Sequence, residues 1–456
     1  MNIKKFQISI DSSLKEALYK IDKNQEGIIY VCSSDNKVLG VATDGDIRRK
    51  LLEGAKLSNN LHEIVNKKFV WKSESSSREE ILKILDSKIK SIPIIDEHGR
   101  LVEIVSKNYL PLKNEESIIV RSRSPVRISF AGGGSDVTNY FDGNKGATLN
   151  TTISLYSHAL LKKRNDNAIS VRSLDLNSLA VAGSLKEFLL LKNSFGLIQA
   201  IIKIINPDFG FDLEIYSDIP IKSGLGGSAA ISAAILGCFN QLRTDEWNLH
   251  ELAELSFQAE RLYLQIAGGW QDQYATVFGG LNFIEFNKDK NIIHPLRLPK
   301  DVSLELEESL VLCDTKISHE SGSIHVDQKE QTKKIEILNR VKSNVELAYI
   351  MRDMILRGKL IEFGKSLDKT WKIKRSLSTQ ISSSYLDQIY AGAIDNGAIG
   401  GKILGAGGGG FFLFFVPPFN RLKVIKNLIK LGLNVKPFIF EKNGLKSWKT
   451  RQHYTS

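Results

Sequence analysis

The stretch Asp218-Ile219-Pro220-Ile221-Lys222-Ser223-Gly224-Leu225-Gly226-Gly227-Ser228-Ala229-Ala230 joins two segments of contrasting pattern. Ahead of it, Phe211-Asp212-Leu213-Glu214-Ile215-Tyr216 alternates apolar and polar residues, the period of a half-buried strand. Behind it, Ala229 to Leu242 is rich in Ala, Ile and Leu and reads as a buried helix. The glycines therefore fall between a strand and a helix N-terminus. Glycine there lets the backbone take positive φ and lets N–H groups approach a ligand closely. The first N–H groups of a helix lack internal partners, and the helix dipole adds partial positive charge, so such a turn is a phosphate cradle. The spacing is neither Gly-x-Gly-x-x-Gly nor a Walker A loop. A tight strand-to-helix connection with no ligand is the alternative.

Two further segments stand in order around this one: Arg123-Ser124-Pro125-Val126-Arg127-Ile128-Ser129-Phe130-Ala131-Gly132-Gly133-Gly134-Ser135-Asp136, and Gly401-Lys402-Ile403-Leu404-Gly405-Ala406-Gly407-Gly408-Gly409-Gly410-Phe411. With Pro-x-x-Ser-Gly-Leu-Gly-x-Ser-Ala in the middle, the chain over about 118–456 resembles the GHMP kinases, the family of galactokinase, homoserine kinase and mevalonate kinase. The resemblance implies an α+β GHMP kinase fold of two lobes, about 118–300 and about 301–456. It implies ATP and Mg²⁺ as cofactors. It assigns ATP binding to Pro220, Ser223, Gly224, Leu225, Gly226, Gly227, Ser228 and Ala229, and a closing glycine motif to Gly405, Ala406, Gly407 and Gly408.

Phosphoryl transfer needs Mg²⁺ on the phosphates and a group that orients the acceptor hydroxyl. Mg²⁺ prefers hard oxygen ligands and takes few from protein, which suits the Ser228 hydroxyl at a helix start. Asn248-Leu249-His250-Glu251 resembles a capping box, and Leu252, Leu255, Ala259, Leu262 and Ile266 then form an apolar helical stripe ending at Gly268 and Gly269. On this pattern Glu260 falls on the flank of the stripe, and Asp272 in a loop just beyond the glycines. Taken alone, Glu260 reads as a surface residue and Asp272 as a loop cap. The resemblance makes Glu260 a Mg²⁺ ligand with Ser228, and Asp272 the catalytic residue that receives the acceptor proton or polarises the hydroxyl. Lys402 reads either as a phosphate contact or as structural. His319 and His325 share a polar loop without cysteine partners, which speaks against zinc.

Gly133, Gly134, Ser135 and Asp136 precede Tyr140-Phe141, and a carboxylate beside flexible backbone suits vicinal hydroxyls; an Asx turn is the alternative. This run, Gly269-Trp270-Gln271-Asp272-Gln273-Tyr274 and Trp371-Lys372-Ile373-Lys374-Arg375-Ser376-Leu377 together resemble the D-glycero-D-manno-heptose 7-phosphate kinases, with fucokinases as relatives. The resemblance implies transfer of the ATP γ-phosphate to the anomeric hydroxyl, giving the 1,7-bisphosphate used for nucleotide-activated heptose and surface glycans. It places Gly133, Gly134, Ser135, Asp136, Gly269 and Gln271 at the sugar; the cations Arg127, Lys372 and Arg375 suit its 7-phosphate, with ordinary solvated basic residues as the alternative. The rivals are a kinase of an unphosphorylated sugar and a non-catalytic sugar- or nucleotide-binding regulator on the same fold.

Residues 1–112 carry an internal repeat. Ser13-Leu14-Lys15-Glu16 and Ser77-Arg78-Glu79-Glu80 each offer a capping box, followed by a helical stripe, a β-rich run, a polar turn and a second strand. Thr43 and Ser106 close the two second strands 63 residues apart. The repeat resembles a tandem CBS pair, an α/β module. Gly40-Val41-Ala42-Thr43-Asp44-Gly45-Asp46 matches its ribose-binding pattern, which implies an adenine-nucleotide or nucleotide-sugar effector held by Asp46 and Thr43. The second copy reads Ser106-Lys107-Asn108-Tyr109, without the Asp. A structural or dimerising module with no ligand is the alternative. Residues 107–120 read as a linker.

The 456 residues are too many for one core. The net charge of +11 raises nucleic-acid binding, but the lysines are dispersed and no aromatic-interleaved basic stripe occurs, so no nucleic-acid partner is expected. The most apolar run, Phe411 to Val416, is far short of the ~20 residues of a membrane span, and the N-terminus has no apolar stretch of a secretory signal. Three scattered cysteines, Cys32, Cys238 and Cys313, fit a reducing compartment. A cytoplasmic homodimer is the expectation.

Overall fold

A computed structural model of the chain describes residues 3–85, 89–106, 109, 118–192, 195–265, 267–317 and 335–450. Most of the linker read at 107–120, together with His319 and His325, lies outside the described residues. The chain divides into two units, Met1–Glu116 and Ser117–Ser456.

In the first unit, β1 (Gln7–Ser9), α1 (Leu14–Asn24), β2 (Ile28–Cys32), β3 (Val38–Thr43) and α2 (Asp44–Leu52) are followed by β4 (Lys72–Ser73), α3 (Arg78–Ile84), β5 (Ser91–Ile95) and β6 (Leu101–Ser106). They form two three-stranded sheets, β1-β2-β3 and β4-β5-β6. The repeat is preserved to the level of a bulge: the antiparallel register slips between Val31 and Cys32 in one sheet and between Ile94 and Ile95 in the other. Ser13 and Glu16 close the capping box of α1, whereas on α3 only the Ser77 half forms. Phe6, Tyr30, Val41, Leu101 and Ile104 bury one another between the copies, and the buried Tyr30 hydroxyl meets Ser91 Oγ at 2.7 Å. The two sheets thus cover each other's apolar faces.

The second unit opens with the long pair β7 (Ile119–Ala131) and β8 (Gly146–Lys163), joined through the short α4 (Thr138–Phe141). There follow β9 (Ile169–Ser173), β10 (Ser178–Ala182), α5 (Leu185–Leu190), α6 (Gly196–Ile205) and β11 (Phe211–Ser217). Next come α7 (Gly227–Asn240), α8 (Leu249–Gln258), a π-helical turn (Ala259–Tyr263), α9 (Gln271–Phe278), β12 (Leu281–Phe286) and β13 (Asn291–Pro295). The strands make an eight-stranded sheet whose centre is β8, paired with β7, β11 and β12. The strand and helix expected around the glycine stretch are β11 and α7. Helix α7 is enclosed, with eleven buried residues from Ala229 to Asn240, as an all-round apolar helix must be.

The rest of the unit builds a second layer set. Helix α10 (Lys300–Ser309) leads into β14 (Leu310–Asp314); α11 (Ile335–Leu356), α12 (Leu360–Arg375), α13 (Ser384–Asp395), β15 (Gly400–Ile403), β16 (Phe411–Phe415), α14 (Arg421–Lys430) and β17 (Asn434–Lys436) follow. Its antiparallel sheet runs β15-β16-β14-β17. The apolar run Phe411 to Val416 is the buried central strand β16 and its end. The final strand, β18 (Lys446–Lys449), departs from this second lobe. It returns to the first sheet and pairs with β7, Lys446 opposite Arg123.

Candidate active site

The glycine stretch turns as its residues require. Gly224 and Gly226 have φ of +77° and +78°, values that a side chain would strain. Gly226 is the N-cap of α7, and no side chain caps that helix, so its first N–H groups point at open space for an anion. The second glycine run meets this turn backbone to backbone. A Cβ on Gly410 would fall 2.3 Å from the Ser223 carbonyl oxygen. The two motifs, with Ser223 and Gly410 187 residues apart in sequence (410 − 223), therefore form one floor.

A cavity of about 550 Å³ opens above that floor. Pro220, Ser223, Gly224, Gly226, Gly227 and Ser228 line it from the loop, and Gly405 and Ala406 from the second lobe. Leu225 and Ala229 are fully buried and stand outside the cavity lining; the Leu225 carbonyl accepts from Arg127 N at 3.0 Å. Gly407 and Gly408 turn away from the cavity toward Ile381, whose carbonyl accepts from Gly408 N at 2.8 Å.

Asp272 sits directly beneath the loop: a Cβ on Gly226 would be 3.4 Å from its carboxyl carbon. It lies in the first turn of α9 and not in a loop, because the glycines at 268 and 269 end one helix and Gln271 already begins the next. Arg127, on β7 and 4% exposed, grips Asp272 Oδ1 through Nε at 2.8 Å and Nη2 at 2.7 Å. Its Nη1 donates to the Gly224 carbonyl at 2.7 Å. One guanidinium fork thus fixes both the acid and the loop.

Glu260 departs from its expected flank position. The π-helical turn 259–263 breaks the α-helical period: Ala259 stays buried as the stripe requires, Glu260 is buried beside it, and Leu262 is exposed. Glu260 is 2% exposed, and its Oε2 accepts from Ser228 Oγ at 3.1 Å. Its Oε1 is buried with no hydrogen-bond partner. Burial pushes this carboxyl up; Arg261 opposes the shift and Asp272 adds to it. A buried carboxylate oxygen without a donor, beside a hydroxyl at a phosphate loop, is the hard-oxygen pair that Mg²⁺ fits.

On the sugar side, Asp136 is buried and accepts from Gly134 N at 3.1 Å and Gln271 N at 3.2 Å. Its carboxyl is pushed up by burial first and by Asp272 second. Gly269 is there to admit it, since a Cβ on Gly269 would be 1.9 Å from Asp136 Oδ2. Gly133, Gly134, Asp136, Gly269 and Gln271 all line the cavity. Ser135 does not: its hydroxyl is wholly buried, donating to the carbonyls of Gly132 and Ala147, and so staples the loop to β8.

The basic motif on α12 is corrected. Lys372 is 72% exposed and pairs with Asp368 at 2.8 Å, and Arg375 pairs with Asp387 at 2.8 Å; both lie outside the cavity lining. The cation of that motif which lines the cavity is Lys374. It falls three and four residues after the buried Trp371 and Thr370, so the helical period carried the signal. Lys402, on β15, is 4% exposed and also lines the cavity. Asn344, a polar residue within the buried stripe of α11, was not legible either; its Nδ2 donates to the Gly133 carbonyl at 2.9 Å.

In the first unit, Thr43 and Asp46 form the capping box of α2. Asp46 Oδ2 accepts from Thr43 N at 2.9 Å and Oγ1 at 2.7 Å, while Oδ1 pairs with Arg49. The pair expected at a ribose is engaged in helix capping.

Sequence comparison now bears on this geometry. Residues 190–280 match the GHMP kinases N-terminal domain, 351–432 the GHMP kinases C-terminal domain, and 1–53 and 61–110 the CBS domain. A D-glycero-alpha-D-manno-heptose 7-phosphate kinase from Campylobacter jejuni is 39% identical over 339 residues, 72% of this chain and 99% of that protein. The chain belongs to the GHMP kinase family. GHMP kinases use ATP, typically with Mg²⁺, and this one is an ATP-dependent sugar kinase preceded by CBS domains. A solved D-glycero-D-manno-heptose 1-phosphate kinase from Bacteroides thetaiotaomicron superposes with a TM-score of 0.61 at 30% identity, covering 73% of this GHMP kinase and 100% of the other chain. An L-fucokinase/L-fucose-1-P guanylyltransferase of Bacteroides fragilis is 26% identical over 64% of this kinase and 34% of its own length. Among the described residues no helix is long and apolar enough to cross a membrane.

Proposed function

We propose that this kinase transfers the γ-phosphate of ATP to the anomeric hydroxyl of D-glycero-D-manno-heptose 7-phosphate, giving the 1,7-bisphosphate on the way to nucleotide-activated heptose and surface glycans. The observation that carries this reading is the near-complete overlap with a relative named for that substrate, at 39% identity over 99% of its length. Loop amides of 223–229 hold the nucleotide's phosphates, and Ser228 with Glu260 holds Mg²⁺, which when bound neutralises phosphate charge. Asp136 accepts from sugar hydroxyls and sets the ring against Asp272. Arg127 fixes the Asp272 rotamer, so that the carboxylate meets the acceptor hydroxyl below the loop and takes up its proton as the oxygen attacks. Positioning and charge placement carry the rate.

The CBS pair acts on the kinase through an adenine nucleotide or a nucleotide sugar, and the chain works as a cytoplasmic homodimer. Residues about 118–300 and 301–456 act as the two lobes, with β18 as the exception that belongs to the first sheet.

A sugar panel with ADP readout and product identification tests the reading. Heptose 7-phosphate is expected to exceed every unphosphorylated sugar in kcat/KM by at least tenfold. A preference for free L-fucose or another unphosphorylated sugar, in line with the fucokinase likeness, would replace it.

A further inference from the structure

Five cations line this cavity: Lys222 in the phosphate loop, Arg261 in the π-helical turn, Arg127 from β7, Lys374 from α12 and Lys402 from β15. Arg127 has its anion in Asp272. Arg261 has Glu260, and among the described residues Lys374 and Lys402 form no ion pair. Lys402 Nζ donates to the Phe130 carbonyl at 3.2 Å, and Lys374 Nζ donates to the carbonyls of Ile403, at 3.1 Å, and Gly405. An ammonium has three N–H donors. Among the described residues Lys402 therefore keeps two and Lys374 one for another acceptor. Burial pushes Lys402 down to about 7, with Arg127 adding to the fall, and burial, Lys402 and Arg127 hold Lys374 well below the usual lysine range. Enclosing cations beside one another is costly unless anions meet them, and at Lys374 only the fields of Asp136 and Asp272 offset that cost. The nucleotide's phosphates already have the amides at the start of α7 and the Ser228–Glu260 pair. Phe130, which anchors Lys402, leads directly into the 133–136 segment that holds Asp136.

We propose that Lys374 and Lys402 together form the receptor for the phosphate monoester that the acceptor sugar already carries, in place of the surface cations Lys372 and Arg375. The inference rests on the sugar-phosphate reading above. It makes these two lysines the residues that separate a sugar phosphate from the free sugar.

The test uses the full chain with Mg²⁺-ATP and two acceptors, D-glycero-D-manno-heptose 7-phosphate and the unphosphorylated heptose. In Lys374→Met and in Lys402→Met the ratio of kcat/KM for the first over the second falls roughly 10–100-fold, the loss of a charge-assisted phosphate contact, and KM for ATP stays within about twofold. Lys374→Gln and Lys402→Gln serve where the Met variants fail to fold. With the wild-type chain, inorganic phosphate competes against heptose 7-phosphate and not against ATP. A wild-type preference for the 7-phosphate that the variants retain overturns the receptor alone. So does a rise in KM for ATP matching the loss on the sugar, or inorganic phosphate that competes with ATP or with neither. A wild-type chain indifferent to the 7-phosphate overturns the sugar-phosphate reading and the receptor with it.

Discussion

Gly405 of the second lobe lies so close to Gly224 of the phosphate loop that a methyl group on it would come within 2.5 Å of the Gly224 Cα. Gly405 also has φ of +64°. Neither backbone can retreat: Gly224 is held through its carbonyl by Arg127, and Gly405 through its own by Lys374. Gly405→Ala should therefore push the loop off the nucleotide. KM for ATP is expected to rise about tenfold or more while the fold survives with a loss of ~1–3 kcal/mol. Steady-state kinetics with varied ATP, beside a thermal melt, measures both. An unchanged KM for ATP would mean the two glycine motifs touch without cooperating.

Asp272→Asn keeps the volume and the contact with Arg127's fork but gives up the proton acceptor. We expect kcat to fall by roughly 10²–10⁴, in the range of a lost general base, with nucleotide affinity nearly intact. Equilibrium binding of an ATP analogue and single-turnover rates separate the two. Unchanged turnover would remove Asp272 from the chemistry.

Glu260 carries a stability signature as well as a metal role. Its folded carboxyl titrates above its ordinary value because it is buried. The ionised form therefore costs the ligand-free fold stability, the cost setting in as pH rises through the ordinary carboxylate range and being complete above the raised value. Glu260→Gln should then melt a few degrees higher than the wild type at pH 7 without Mg²⁺, the gap closing toward pH 4. Activity should fall at least about 10²-fold at any Mg²⁺ concentration. Melts across pH, with and without Mg²⁺, decide it. A variant that melts lower than the wild type at pH 7 would make the carboxylate a stabilising element of the loop.

For the N-terminal unit, the capping role and the nucleotide role of Asp46 make different demands. Asp46→Ala removes the capping box and should cost ~0.5–2 kcal/mol. Asp46→Asn keeps an acceptor for the cap yet weakens a ribose contact. If a nucleotide binds there, AMP or ATP should raise the melting temperature of the wild type more than that of Asp46→Asn. Equal shifts would leave Asp46 with the helix alone.

Much of this architecture was legible in the sequence because local rules and global fold agree. The 63-residue repeat reappears as two sheets with the same bulge, and the glycine stretch as the turn between β11 and α7. What was not legible came from breaks in periodicity. Glu260 looked like a flanking residue on a straight α-helix, and it is buried within the π-helical turn. Lys374 hid between two more exposed cations, though the buried face of α12 pointed to it. Asp46 matched a ligand pattern whose spacing is also that of a capping box, so the motif could not tell the two apart. Ser135 shared a segment with Asp136, but adjacent residues of an irregular loop point opposite ways.

The return of β18 to the first sheet has a mechanical consequence. The chain crosses between the lobes once after β13 and again before β18, where Lys446 to Lys449 lie along Arg123 to Val120. A cleft with one connecting strand can swing open like a door. This one is strapped on two sides, and the second strap is hydrogen-bonded to the same strand that carries Arg127. The two sheets are thereby tied at both crossings of the chain, the second through the strand whose Arg127 grips acid and loop.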